Sequence, residues 1–125
     1  NKILNYGIED KITITGSRND ISNIYKISDF VFNLSIKPEP FGRTTIEAIS
    51  SGSKVLGWNH GGTKEILEEL YPDGLVELDN IEDLAEKVIN LSNMTNSMPK
   101  ENTFTSERMT NQTISLYQDL LAKRL

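Results

Sequence analysis

One stretch constrains the fold of this chain more than any other: Pro38-Glu39-Pro40-Phe41-Gly42-Arg43-Thr44-Thr45-Ile46-Glu47-Ala48-Ile49. It follows Phe30-Val31-Phe32-Asn33-Leu34-Ser35, an apolar and aromatic run that reads as a buried strand. Pro38 and Pro40 cannot donate ladder hydrogen bonds, so they stop that strand and stiffen a turn. Ile46, Ala48 and Ile49 then suit one face of a helix, with Gly52 placed to close it. Strand, turn and helix in this order set a helix N-terminus beyond the end of a strand. The first amides of a helix have no intrahelical partner and its dipole is positive there, which suits phosphate. Gly42 lets the backbone come close to a ligand. Glu39 before the turn and Glu47 inside the helix would repel phosphate, but as acceptors they suit sugar hydroxyls.

The rest of the chain alternates strand and helix in the same way. Ile3, Leu4 and Ile8 around Gly7 read as the end of a helix, and Ile12 to Thr15 as a strand ending at Gly16. Asp20 is a candidate N-cap for a short helix holding Ile24, Tyr25 and Ile27. After the central stretch come a strand near Lys54 to Gly57 and a loop with Asn59 to Gly62. A helix with Ile66, Leu67 and Leu70 then ends at the turn Tyr71-Pro72-Asp73-Gly74. Leu75 to Leu78 reads as a last short strand, and Glu82 to Leu91 as a helix turning Leu84, Ala85, Val88, Ile89 and Leu91 inward, capped by Asp79 or Asn80. Residues 92–103 are a polar loop before a final helix from about Thr105 to Leu125 carrying Met109, Ile114, Leu116, Tyr117, Leu120 and Leu121. Alternation over short connections predicts an α/β domain with a parallel sheet. Ligands of such sheets sit beyond the carboxyl ends of the strands, where the loops after Gly16, Ser35 and Gly57 would lie.

Bulk properties narrow the partners. A chain of 125 residues is one ordinary domain, and a net charge of -5 with no basic stripe argues against nucleic acid. With no cysteine there is neither a disulfide framework nor a thiolate metal site, which fits the cytoplasm. No apolar run reaches the length of a membrane span. The first residue is Asn1, and the expectation is a piece of something longer.

Glu39 and Glu47, with seven residues between them and Pro-Phe-Gly-Arg inside, resemble the E-x7-E signature of the retaining glycosyltransferases of family 4, group 1. The likeness continues through Ala48, Gly52, Val55, Gly61-Gly62, Glu65-Ile66 and Gly74-Leu75-Val76. It also takes in Ile12 to Gly16 and Ile24-Tyr25 upstream and Leu84-Ala85 downstream, so that it spans roughly residues 8–91. The resemblance implies the C-terminal, donor-binding domain of a two-domain GT-B enzyme of glycan biosynthesis, with a Rossmann-like parallel sheet. Residues 1–103 would form the sugar-nucleotide-binding part without its first strands, and residues 104–125 its C-terminal helix. Glu39, the candidate catalytic residue, would hold donor-sugar hydroxyls. Glu47 would bind the ribose, and the amides of Phe41, Gly42, Arg43 and Thr44 would hold sugar and diphosphate. Gly16, Ser17 and Arg18, with Asn19, would lie against the nucleobase.

The implied reaction is a hexosyl transfer from a nucleotide-diphosphate sugar to an acceptor hydroxyl, with retained configuration and no metal or cofactor. The family's Arg and Lys for the diphosphate match nothing in this chain, so the fragment alone is expected to be inactive and to bind nucleotide weakly. The implied partners are the donor and an N-terminal acceptor domain. Peripheral membrane association of the parent is left open. Self-association of the fragment is expected, either through the sheet edge bared by the missing first strands or through the final helix, which in the family packs on the other domain and whose stripe Met109, Ile114, Tyr117, Leu121 would lack a partner.

Blander readings compete at each position. A lone glutamate is usually a solvated charge, and it is the series in register that favours function for Glu39 and Glu47. Residues 17–19 are equally well a plain surface loop. His60, the only histidine, reads as structural, while the Gly61-Gly62 pair reads as close approach to the donor or the opposing domain. Arg43 and Lys37 could offset phosphate charge or simply be exposed. The alternatives are a non-catalytic module or partner subunit of the same lineage, and a flavodoxin-like or dinucleotide-binding domain. Against the last, no G-x-G-x-x-G and no P-loop is present.

Overall fold

Three parallel strands carry the fold, in the order β1 (Phe30–Asn33), β2 (Lys54–Trp58), β3 (Leu75–Val76). The structure, a computed structural model, describes residues 2–95, 98–99 and 101–123. Its helices are α1 (Lys2–Tyr6), α2 (Ile21–Ile27), α3 (Arg43–Ser50), α4 (Gly61–Leu70), α5 (Ile81–Ser92) and α6 (Ser106–Ala122), with 3-10 turns at Glu9–Lys11 and Pro72–Gly74. Phe30 lies opposite Lys54 and Asn33 opposite Gly57, while Trp58 lies opposite Val76. In the central strand Val55 and Leu56 point to opposite faces and neither is exposed to solvent, as a parallel sheet covered on both sides requires.

Alternation along the strands assigns the helices to faces. Asn33 and Gly57 share one face, and the Asn33 side chain meets Thr45 of α3 and Thr63 of α4 there. Phe30, Phe32 and Lys54 occupy the other. The Lys54 ammonium sits 5.7 Å from the Phe30 ring centroid and donates to the carbonyls of Leu91 (2.6 Å) and Met94 (2.8 Å), capping the end of α5. Thus α3 and α4 lie side by side with both N-termini at the carboxyl ends of the strands.

Most expected elements form where the residues placed them, including the Asn80 cap of α5, whose Oδ1 accepts from the Asp83 amide at 2.9 Å. Four details differ. Ile12 to Thr15 is not a strand: it pairs with no strand among the described residues, and Ile14 is 86% exposed. An alternating pattern becomes a strand only where a neighbour accepts its ladder bonds, and none lies alongside. Asp20 does precede α2, but its carboxylate is held by Arg18 (Nε–Oδ1 2.8 Å, Nη2–Oδ2 2.6 Å) and caps no amide. Along α5, Leu84, Val88 and Leu91 face the core, whereas Ala85 and Ile89 are exposed, because the covered stripe is narrower than the apolar one. The strand at Leu75 stops at Val76, since Asp79 turns the chain with a φ of 59°.

Helix α6 is attached at one end only. The Thr105 hydroxyl accepts from the Arg108 amide at 3.1 Å, Arg108 Nη1 lies 2.7 Å from Glu69 of α4, and the Thr103 hydroxyl donates to the same carboxylate. Beyond this anchor no described residue of α6 is buried, and Met109, Ile114, Tyr117 and Leu121 all face solvent, as expected from sequence. Hydrogen bonds from Thr103 and then Arg108 hold the Glu69 carboxyl below the usual glutamate range. A carboxylate depressed in the folded state stabilises the anchor above its ordinary value, and that contribution is lost as pH falls through the folded value. Acidification is therefore expected to release the start of α6, seen as a shift of the Arg108 and Phe104 NMR signals. Glu69→Gln should abolish the transition; a transition that survived it would assign the anchor elsewhere.

Candidate functional site

Two backbone turns meet at the carboxyl ends of β1 and β2, and glycine is what allows it. Gly42 (φ 79°) directly precedes α3, in the left-handed conformation that a side chain disfavours. Its α-carbon faces the first turn of α4, so that an added Cβ would stand 3.0 Å from the Thr63 nitrogen. A Cβ on Gly62 would fall 2.3 Å from the carbonyl carbon of Phe41. The Gly62 amide donates to the Glu39 carbonyl at 2.8 Å, closing the contact. The glycine pair thus serves an approach between this chain's own turns, where the sequence suggested an approach to a donor or a second domain. His60 ties the same two loops, its Nε2 lying 2.8 Å from the Ser35 carbonyl oxygen.

Glu39, Pro40, Phe41, Gly42, Arg43 and Thr44 surround a shallow depression of about 350 Å³. The amides of Phe41, Gly42, Arg43 and Thr44 have no acceptor among the described residues, because the intrahelical bonds of α3 begin with Thr45 and Ile46 donating to the Gly42 carbonyl. Glu39 is half-buried beside them. Arg43 is mostly exposed and reaches back along α3 to Glu47, Nη2 to Oε1 3.2 Å. That depression therefore offers donors, a positive dipole end, one carboxylate and one exposed cation, a set suited to an anionic group attached to a hydroxylated one.

Glu47 does not line the same depression, contrary to a single shared cleft. Its groove, of about 450 Å³, runs between α2 and α3 past Ile21, Tyr25, Ile46 and Phe104. Arg43 links the two through its ion pair. Phe41 does not pack under Glu39 as expected; it is exposed and meets Phe104 edge-on, centroids 6.1 Å apart at 66°. Gly16, Ser17 and Arg18 are exposed and line neither depression, although their loop leads into Ile21 at the mouth of the Glu47 groove. Arg18 is occupied by Asp20, whose carboxyl the guanidinium holds below its usual range.

Four residues of this region escaped the sequence. Asn33, Thr45 and Thr63 form a buried polar knot under the two turns: Asn33 Nδ2 donates to Thr45 Oγ1 (3.1 Å) and Thr63 Oγ1 (3.0 Å). A lone polar residue in an apolar strand was the available signal for Asn33. Phe104, which lines the Glu47 groove and meets Phe41 of the neighbouring depression, was signalled only as an aromatic in an otherwise polar connection. No group of three or more potential metal ligands occurs among the described residues.

A family model described as "Glycosyl transferases group 1" matches residues 1–108. The chain belongs to the group 1 glycosyl transferases. The relatives of this glycosyl transferase chain include the mannosylfructose-phosphate synthase of Agrobacterium fabrum, 40% identical over 63 residues, which are 49% of this chain and 14% of that protein. They also include the N-acetyl-alpha-D-glucosaminyl L-malate synthase of Bacillus anthracis, 27% identical over 95% of this chain and 33% of that protein. The chain thus spans a third or less of the length of these relatives. Among solved structures, a glycosyltransferase from Rickettsia africae superposes with a TM-score of 0.75 and 31% identity over 95% of this chain and 34% of its own. Anabaena HepE, solved in complex with UDP and glucose, superposes with a TM-score of 0.70 and 30% identity over 75% of this chain and 26% of its own. The parallel-sheet α/β architecture expected from the sequence is the one that matches these GT-B glycosyltransferases. No helix among the described residues is long and apolar enough to cross a membrane.

Proposed function

We propose that this glycosyl transferase chain is the donor-binding part of a retaining enzyme that moves a hexose from a nucleotide-diphosphate sugar to an acceptor hydroxyl, without a metal or cofactor, in the cytoplasm. The observation that carries the reading is the turn 39–44, where four unpartnered amides open a helix beside the Glu39 carboxylate. Amides at a helix N-terminus are oriented before the reaction begins, so they stabilise charge developing on a departing diphosphate at little reorganisation cost. Glu39 accepts hydroxyls of the sugar and sets its orientation over those amides. Glu47, in its separate groove, accepts the ribose hydroxyls, and Arg43 leaves Glu47 for the diphosphate when the donor arrives. The bound UDP of the Anabaena neighbour supports a uridine nucleotide as donor.

The complete protein that carries this chain, given UDP-, GDP- and ADP-sugars with a hydroxylated acceptor, is expected to release one nucleoside diphosphate and form a glycoside of unchanged anomeric configuration. Residues 1–125 alone are expected to show no turnover and only weak UDP binding by calorimetry, since a helix N-terminus at an exposed site contributes about 1 kcal/mol. Inversion at the anomeric carbon, or micromolar UDP binding by the isolated chain, would overturn the corresponding part of the reading.

A further inference from the structure

We propose that Asn33 is a positioning residue that fixes the Glu39 carboxylate relative to the amides of α3. Asn33 ends β1, is 8% exposed, and has its amino group among three oxygens: Thr63 Oγ1 at 3.0 Å, Thr45 Oγ1 at 3.1 Å and Glu39 Oε2 at 3.5 Å. The amino end of the amide must face this cluster, because an ionised carboxylate can only accept. An amino group has two hydrogens, so the two hydroxyls take the short bonds and the carboxylate takes the longer, electrostatic attraction. Oε2 is thereby drawn toward the strand, leaving Oε1 for a ligand. The threonines complete the frame. Thr45 stands in the first turn of α3 and Thr63 in the first turn of α4, and neither is more than 4% exposed. One side chain therefore refers the carboxylate and both helix N-termini to the same strand end, and a shift of it would move the acceptor for the sugar relative to the donors for the diphosphate. Positioning of this kind matters because small misplacements at a reacting centre are costly.

The inference rests on the role proposed above for Glu39, and the test separates the two. In the complete protein, Asn33→Asp keeps the shape and reverses the bonds to the threonines, accepting from both hydroxyls where Asn33 donates to them, but it faces Glu39 with a second carboxylate. With UDP-glucose, or whichever nucleotide sugar of the panel turns over, kcat/KM at neutral pH is expected to fall roughly 30-fold. Two close carboxylates share a proton as pH falls, so activity should recover toward acid, displacing the pH profile relative to the unchanged protein. Thr63→Val is the structural control: it loosens the knot without adding charge, and is expected to lower the melting temperature with no acid displacement of the profile. Should Asn33→Asp fail to fold, Asn33→Ser, which keeps a donor but cannot span to Glu39, is expected to lose about 10-fold in kcat/KM, because the carboxylate is no longer drawn to a fixed position. An Asn33→Asp enzyme with the unchanged pH profile, or an Asn33→Ser enzyme of full activity, overturns the positioning role and leaves the functional reading standing. An unmodified protein that moves sugar from no nucleotide sugar overturns both.

Discussion

Glu39→Gln in the complete enzyme is expected to lower kcat/KM for the nucleotide sugar about 100-fold while leaving the melting temperature nearly unchanged. A hydrogen bond to a charged group contributes roughly 1.5–3 kcal/mol, and about 1.4 kcal/mol corresponds to a factor of ten in rate. The upper part of that range applies because the carboxylate stands beside a helix N-terminus, where its position and not only its charge is set. Stability should hold because Glu39 is half-buried and its side chain makes, among the described residues, only the long hydrogen bond from Asn33. Glu47→Gln is expected to act differently. Its carboxylate is partly exposed and already paired with the exposed Arg43, so the loss should be nearer 10-fold and appear mainly as a raised KM for the donor. Steady-state kinetics on both variants check this. Equal, small effects would mean that the two carboxylates are the solvated charges that isolated glutamates usually are.

The second large effect concerns the fold beneath the site. Gly62→Ala would bring a methyl group 2.3 Å from the Phe41 carbonyl carbon and 2.4 Å from its oxygen. Those are backbone atoms of a turn stiffened by Pro38 and Pro40, so neither partner can rotate away. Overpacking commonly costs 1–3 kcal/mol, and a backbone-to-backbone clash belongs at the top of that range, about 3 kcal/mol. For a chain of this size that corresponds to a fall of roughly 10 °C in melting temperature. Gly52→Ala is the contrast: nothing lies within 4 Å of its added Cβ, and only its left-handed φ of 88° opposes the change. Its cost should be about 1 kcal/mol. Thermal melts of both variants decide the matter; equal shifts would mean that the turns can part without loss.

Local chemistry was legible in the sequence, and contact between distant segments was not. Proline, glycine and apolar spacing placed α3, α4 and the turns around them, because each signal acts within a few residues of itself. The strand expected at Ile12 shows the limit, since alternation describes a strand's two faces but says nothing about its edges. Gly61 and Gly62 were seen to mark a close approach, yet their partner lay more than twenty residues back, at Glu39 and Phe41. The knot of Asn33, Thr45 and Thr63 joins positions separated by up to 30 residues, so no window along the chain contains it. For the same reason Glu39 and Glu47 looked like two walls of one cleft. Their spacing along the chain is fixed, but Phe104, from the far end of the chain, joins one groove and not the other.

The welding of the two turns has a mechanical consequence. Where Gly42, Gly61 and Gly62 press main chain against main chain, there is no slack for the turn 38–42 to fold down over a guest. Ligand sites usually enclose most of what they bind, and this depression is shallow. The turn therefore works as an anvil: it presents amides and a carboxylate at fixed spacing, and whatever shuts water out from above must travel to it.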